Sequence, residues 1–294
     1  MSNTKFKGIF TALITPFTNQ KEIDFDALTK IIEHQIKCGI TGLVVGGSTG
    51  ESFALSAEEK DRLLYHAKTI INGRCLLIGN ISAINIQGLD ENIAIHNKHQ
   101  VDAVMLAPMP YIKPTQQGIK ALFQYAHKTI NMPIILYNVP GRASVDISNQ
   151  TIAELHENGI IHIVKEASGD VGRLTELAQN PNLTILTGED ANLIGFMANG
   201  GSGAISVLSN VAPKEVIECF ELFAQEKSSE ALREYIRYGN LIKLLFCESN
   251  PIPVKYLMSS IFNFENALRL PLTPLSETNK QLLFTEFTKL NIEN

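Results

Sequence analysis

A lysine stands where a cation is out of place. In Ile160-Ile161-His162-Ile163-Val164-Lys165-Glu166-Ala167 most neighbours are apolar and β-branched, and Gly159 and Ser168-Gly169 bound the run. Such a run reads as a buried strand. Its alternation puts Ile161, Ile163 and Lys165 on one face and His162 and Val164 on the other. An ammonium buried without a partner costs several kcal/mol and commonly gives up its proton. A neutral amine in a dry pocket is a nucleophile towards carbonyl carbon, the first requirement of Schiff-base catalysis. A lysine at a strand end that snorkels to water, or pairs with Glu166, is the competing account of this segment.

Other segments add capacity for the same chemistry. Ile134-Ile135-Leu136-Tyr137-Asn138-Val139-Pro140-Gly141-Arg142 reads as a strand with Ile135 and Tyr137 on one face. The Tyr137 phenol can donate and accept protons during imine formation, and Arg142 in the following turn offers a planar fork for a carboxylate. Gly46-Gly47-Ser48-Thr49-Gly50-Glu51 combines close backbone approach with two hydroxyls. That suits a small carboxylate but not a P-loop phosphate, because no Gly-Lys-Ser/Thr follows. Tyr111 lies in the proline-stiffened loop Ala107-Pro108-Met109-Pro110-Tyr111-Ile112-Lys113-Pro114, and Gly188 ends a further strand in Thr187-Gly188-Glu189-Asp190. Ile205, in Gly203-Ala204-Ile205-Ser206, is expected to close a pocket over a small substrate. Each of these segments also has a plain structural account: a tight turn, a packed tyrosine, a surface arginine.

The elements that must position these residues recur as strand followed by helix. Apolar runs fall at 9–14, 42–46, 75–78, 103–106, 134–137, 160–165, 184–186 and 203–207. Helical patterns separate them, one capped by Asp24 and stopped by Gly39, another opened by a capping box at Ser56-Ala57-Glu58-Glu59 and ended by Gly73. Further helices are expected at 91–98, 118–129 and 149–156. Strands that are apolar throughout signal a parallel sheet covered on both faces. Eight units in roughly 210 residues predict an α/β (β/α)8 TIM barrel, with chemistry at the C-terminal strand ends. An open doubly wound sheet is the competitor, but no G-x-G-x-x-G turn follows the first strand. Residues 1–210 are thus expected to form the barrel that carries the active site. Residues 211–294 read as a helical region packed on it, with helices at 214–225, 229–246, 253–262 and 277–290.

The net charge of −5, with no basic cluster interleaved with aromatics, argues against nucleic-acid or membrane-surface partners. No 18-residue apolar run and no signal-peptide cleavage pattern are present. Cys38, Cys75, Cys219 and Cys247 lack metal or disulfide spacing, as expected of reduced thiols in a cytoplasmic protein. Of the seven histidines only His162 falls in a predicted strand, on the face opposite Lys165, and the His96/His99 pair has no carboxylate in view. No metal and no cofactor are expected.

Taken together, the segments resemble the pyruvate-dependent Schiff-base aldolases and, within them, the dihydrodipicolinate synthase family. The likeness spans nearly the whole chain. It includes Ala12-Leu13-Ile14-Thr15-Pro16-Phe17, Gly47-Ser48-Thr49-Gly50-Glu51-Ser52, the Tyr137 and Lys165 segments, Asn250-Pro251-Ile252-Pro253-Val254-Lys255 and Leu268-Arg269-Leu270-Pro271-Leu272-Thr273-Pro274. The resemblance implies that Lys165 forms an imine with pyruvate. It also implies that Tyr137 transfers protons in a hydroxyl relay with Ser48 and with Tyr111 reaching in from a neighbouring subunit. Thr49 would hold the pyruvate carboxylate, Gly188 and Ile205 would shape the pocket, and Arg142 would hold the carboxylate of aspartate 4-semialdehyde. The implied product is 4-hydroxy-tetrahydrodipicolinate, on the route to diaminopimelate and lysine, and the implied assembly is a homotetramer built as a dimer of dimers.

Two departures from the family pattern carry consequences. Ser48-Thr49 replaces the usual Thr-Thr, which keeps the hydroxyl and loses a methyl, so the relay survives with looser positioning. The Gly-Gly-Ser-Thr-Gly-Glu form is also similar to sialic-acid lyases, which leaves N-acetylneuraminate or keto-sugar-acid cleavage, or a silent keto-acid-binding barrel, as alternatives; Arg142 and Asn-Pro-Ile-Pro-Val-Lys favour the synthase. Lysine-sensitive relatives carry histidines, asparagine, glutamate and tyrosine in their effector pocket. The corresponding positions here are Ala57, Lys60, Ile84, Gly88 and Pro110. Without an acidic partner an effector ammonium has nothing to pair with. Weak or absent inhibition by lysine is therefore expected, and a steep loss of rate at sub-millimolar lysine would refute it.

Overall fold

Strand residues are buried on both faces, as a sheet walled by helices requires: all residues of Gly8–Ala12, Ile134–Asn138 and Ile163–Glu166 are buried. The computed structural model describes residues 3–292. Among the described residues, eight strands alternate with helices. The first half runs β1 (Gly8–Ala12), α1 (Phe25–Lys37), β2 (Gly42–Val44), α2 (Ala57–Ile71), β3 (Leu76–Asn80), α3 (Ile86–His99), β4 (Ala103–Leu106) and α4 (Gln116–Thr129). The second runs β5 (Ile134–Asn138), a short α5 (Pro140–Ala143), α6 (Asn149–Glu157), β6 (Ile163–Glu166), a short α7 (Leu174–Leu177), β7 (Thr184–Thr187), α8 (Leu193–Ala198) and β8 (Gly203–Ser206). Only helices follow: α9 (Pro213–Ala224), α10 (Ser228–Ile236), α11 (Gly239–Leu245), α12 (Ile252–Phe262) and α13 (Glu277–Lys289). The strands pair in chain order and the sheet closes on itself, with parallel pairing of β1 with β2 and along β3 to β8. This is the (β/α)8 barrel that the apolar periodicity predicts.

The chain divides into two compact units. One comprises the described part of Met1–Gly8 with Ile78–Ile205; the other comprises Ile9–Leu77 with the described part of Ser206–Asn294. In the first unit, Gly8 N–H donates to Ser202 O at 2.9 Å. The backbones there are so close that a Cβ on Gly203, whose φ is +132°, would stand 1.9 Å from Gly8 O. Only glycine fits at that seam. In the second unit, Asp24 caps α1 by accepting from Ala27 N at 2.9 Å, and Ser56 with Glu59 forms the capping box of α2. A buried polar cluster anchors the turn after β8: Thr11 Oγ1 donates to Gln35 Oε1 at 2.7 Å, Gln35 Nε2 donates to Ser209 O at 2.8 Å, and Asn210 Nδ2 donates to Ala12 O at 2.9 Å. Each buried polar atom so paired avoids a desolvation cost of about 1–3 kcal/mol.

Three expectations need correction. The sixth strand begins at Ile163, not Ile160, because the amides of Ile160 and Ile161 both bond back to Leu155 O in the C-terminal turn of α6. His162 therefore lies outside the strand, is exposed, and packs edge-on against His156 at 5.2 Å between centroids. The expected helix over 229–246 is two helices, because Arg237 and Tyr238 amides bond three residues back, to Glu234 O and Tyr235 O, and interrupt the i−4 ladder. The helix expected at 91–98 starts five residues earlier, where Asn85 Oδ1 accepts from Gly88 N at 2.7 Å and caps α3.

Candidate active site

Every residue singled out in the sequence lies near the C-terminal end of its strand or in the loop beyond it. In the first unit, Tyr137 is the penultimate residue of β5 and Lys165 the penultimate residue of β6, and the two are direct register partners. Their side chains share one face, and Lys165 Nζ stands 4.3 Å from the centroid of the Tyr137 ring. Lys165 is 5% exposed and Tyr137 8%. An aromatic face attracts an ammonium yet cannot take its proton, so the amine sits against an apolar wall with a narrow opening.

Gly188, directly after β7, packs against the stem of Lys165. A Cβ there would lie 2.8 Å from Lys165 Cε and 2.7 Å from Ala167 Cβ, so the missing side chain is what leaves the lysine stem its room. Ile205 in β8 is fully buried, consistent with a wall residue. Next to Gly188, burial pushes the Glu189 carboxyl up, with Asp190 and Glu166 acting the same way and Lys165 opposing them. Arg142 occupies the exposed turn α5 after β5. Tyr111, in the loop after β4, is 92% exposed with a left-handed φ of 75°, a backbone conformation that costs a bulky residue about 1–3 kcal/mol.

The second unit carries Ser48 and Thr49. Their loop folds tightly on itself, with Gly50 N–H donating to Gly47 O at 3.1 Å and Glu51 N–H to Ser48 O at 3.2 Å. Ser48 is half-buried and Thr49 buried. Asn250 Nδ2 donates to Thr49 Oγ1 at 2.9 Å, which occupies an oxygen lone pair and leaves the hydroxyl hydrogen to donate elsewhere. Glu51, fully buried in left-handed backbone at φ 54°, meets Lys255 Nζ at 2.5 Å and accepts from Arg269 N at 3.0 Å. Lys255 also stands 3.9 Å from the Phe17 ring centroid. Burial pulls the Lys255 ammonium down to about 8, against the Glu51 carboxylate, which raises it.

The structure thus sets Lys165 beside Tyr137, as strand alternation predicts, while nothing in the sequence signals the Asn250–Thr49 bond or the Glu51–Lys255–Arg269 cluster, whose partners lie about 200 residues apart. Among the described residues no group of three His, Cys, Asp or Glu side chains could hold a metal ion, and no helix is long and apolar enough to cross a membrane.

Comparison with known proteins places the chain in a family. The profile of the Dihydrodipicolinate synthetase family matches residues 5–289. A 4-hydroxy-tetrahydrodipicolinate synthase of Rickettsia bellii is 41% identical over 99% of this chain and 99% of its own. One from Methanocaldococcus jannaschii is 38% identical over 95% and 96%. The chloride-inhibited dihydrodipicolinate synthase of Acinetobacter baumannii, solved in complex with pyruvate, superposes with a TM-score of 0.94 at 33% identity, covering 98% of this chain and 99% of that one. By sequence along its whole length and by fold, the chain belongs to the dihydrodipicolinate synthetase family.

Proposed function

We propose that this protein is a lyase that condenses pyruvate with L-aspartate 4-semialdehyde through a Schiff base on Lys165, giving 4-hydroxy-tetrahydrodipicolinate in lysine and diaminopimelate biosynthesis. The observation that carries the reading is the buried Lys165–Tyr137 pair, in register on adjacent strands, within a chain of this family. The Lys165 amine attacks the ketone carbon of pyruvate; loss of water leaves the imine. Tyr137 moves the protons of that step, relayed through Ser48 and a neighbouring subunit's copy of Tyr111. Removal of a methyl proton gives the enamine, whose carbon attacks the aldehyde, and the aldehyde oxygen takes up a proton to become the hydroxyl. The substrate's own amine then adds to the imine carbon and displaces Lys165. The sum is redox-neutral and balances with one water released, so the reading calls for no cofactor.

Thr49 binds the pyruvate carboxylate, and its hydroxyl is suited to donate because Asn250 occupies its oxygen. Gly188 and Ile205 shape the pocket. Arg142 takes the carboxylate of the semialdehyde. An exposed Tyr111 in strained backbone supports a homo-oligomer in which that ring is covered by a second subunit; the family resemblance extends this to a tetramer as a dimer of dimers, working in the cytoplasm.

Borohydride reduction in the presence of pyruvate tests the reading directly: mass spectrometry is expected to find a reduced pyruvyl group on Lys165 and on no other lysine. An unmodified Lys165 in an otherwise active preparation would overturn it. Replacing Arg142 with Ala is expected to lower kcat/KM for the semialdehyde by about 10- to 150-fold, the equivalent of one charge-assisted hydrogen bond. Trapping of pyruvate should continue in that variant. Equal activity of the wild type on sialic or keto-sugar acids would instead favour the related lyases.

A further inference from the structure

The two strands that carry the proposed chemistry each present a buried polar side chain one residue further on, pointing the other way. Asn138 follows Tyr137, Glu166 follows Lys165, and these two are also register partners. Asn138 is fully buried and Glu166 is 2% exposed. Asn138 Nδ2 donates to Glu166 Oε2 at 2.9 Å, to Oε1 at 3.2 Å, and to Asp146 Oδ1 at 2.8 Å. Its Oδ1 accepts from Ile147 N at 3.0 Å. Ser168 N donates to Glu166 Oε1 at 2.7 Å. Arg173, with a side chain 9% exposed, places NH1 2.5 Å from Asp146 Oδ1 and 3.6 Å from Glu166 Oε2. Its Nε donates to Asn149 Oδ1 at 2.9 Å and its NH2 to Ile147 O.

This network does two things at once. It cross-links β5 to β6 immediately behind Tyr137 and Lys165. It also gathers the loop that carries Arg142: the loop leaves at Val139, and Asn138 and Arg173 hold its far end at Asp146 and Ile147. Resting on the reading above, we propose that Asn138, Glu166 and Arg173 are positioning residues. Their shared network sets the phenol against the amine and the Arg142 guanidinium against the second substrate. The chemistry of the partners makes the residue types specific. Asn138 and Ser168 both reach the Glu166 oxygens through N–H donors, so a glutamine there would turn an NH2 towards another donor. Lysine in place of Arg173 keeps the charge but cannot reach Asn149, Asp146 and Ile147 O together.

The test is the full steady-state analysis of Glu166→Gln and Arg173→Lys, with KM for each substrate, kcat, borohydride trapping of pyruvate and thermal midpoint measured on the same preparations. Glu166→Gln is expected to lower kcat by about 10- to 100-fold, the effect of moving a reacting group by a fraction of its working distance, while pyruvate is still trapped at saturation. Arg173→Lys is expected to raise KM for the semialdehyde by about tenfold and leave KM for pyruvate within about twofold. If Glu166→Gln does not fold, Arg173→Lys, at the edge of the network, decides the matter. A wild type that traps pyruvate and turns over, beside variants that lose only thermal stability and keep these parameters, would overturn the positioning role and leave the functional reading standing. A wild type that traps no pyruvate would overturn both.

Discussion

Replacing Lys165 with Met is expected to abolish covalent capture of pyruvate and to lower turnover by about six orders of magnitude, the scale on which removal of a nucleophile acts. The fold should survive. Lys165 is 5% exposed and forms no ion pair among the described residues; its polar end rests on the Tyr137 ring. Met is close in volume, unbranched and content against an aromatic face. The thermal midpoint is therefore expected to hold or rise slightly, and near-identical circular dichroism would separate lost chemistry from lost structure. Residual turnover within about tenfold of wild type would show that another amine does the work.

Lys255 is the other buried lysine, and physical chemistry separates the two. Its Nζ is fully buried and donates to a carboxylate oxygen at 2.5 Å, a partner that favours the ammonium, and its approach is closed. Among the described residues Lys165 meets no carboxylate at hydrogen-bond distance, and its stem occupies the room left by the missing side chain of Gly188. Two lysines of similar burial thus have different surroundings, one tied to a carboxylate within the fold and one resting on an aromatic face.

Much of this was legible in the sequence because strand alternation is a rigid rule. Once the runs ending in Tyr137 and Lys165 are read as strands, the faces of both residues follow, although closure of the sheet does not. The same rule places Asn138 and Glu166 together on the opposite face, a pairing that alternation implies but composition does not advertise. Arg173 carried no signal: it joins them from a loop, and nothing local to residue 173 says so. The Asn250–Thr49 bond spans 201 residues and the Lys255–Glu51 pair 204, beyond any periodicity. The false start of the sixth strand has a similar cause. Ile160 and Ile161 are apolar because they pack beneath the end of α6, and their amides answer to Leu155 rather than to a neighbouring strand. Burial alone does not distinguish a helix terminus from a strand when both are made of isoleucine.

Replacing Lys255 with Met is expected to be the most destabilising of these changes, by about 3–5 kcal/mol, because it strands the Glu51 carboxylate in the interior. Glu51 is fully buried, and among the described residues the Arg269 amide would be its remaining donor. The thermal midpoint should fall by about 10 °C. Adding Glu51→Gln to Lys255→Met should restore most of that loss, since removing both charges removes the desolvation cost together with the attraction. A pH dependence follows from the same pair. Burial holds the folded-state Lys255 near 8, below its ordinary value of 10.5. Between those values the unfolded chain binds more protons than the folded one, so wild-type stability should gain as pH rises through that window, and the Met variant should lose that gain. A single variant within about 1 kcal/mol of wild type would show that Glu51 finds another partner, and would remove the pair from the structural account. The expected cost also reaches the chemistry. Glu51 ends the turn that presents Ser48 and Thr49, so a loosened Glu51 should raise KM for pyruvate more than it lowers kcat, the signature of a weakened carboxylate seat rather than a lost proton relay.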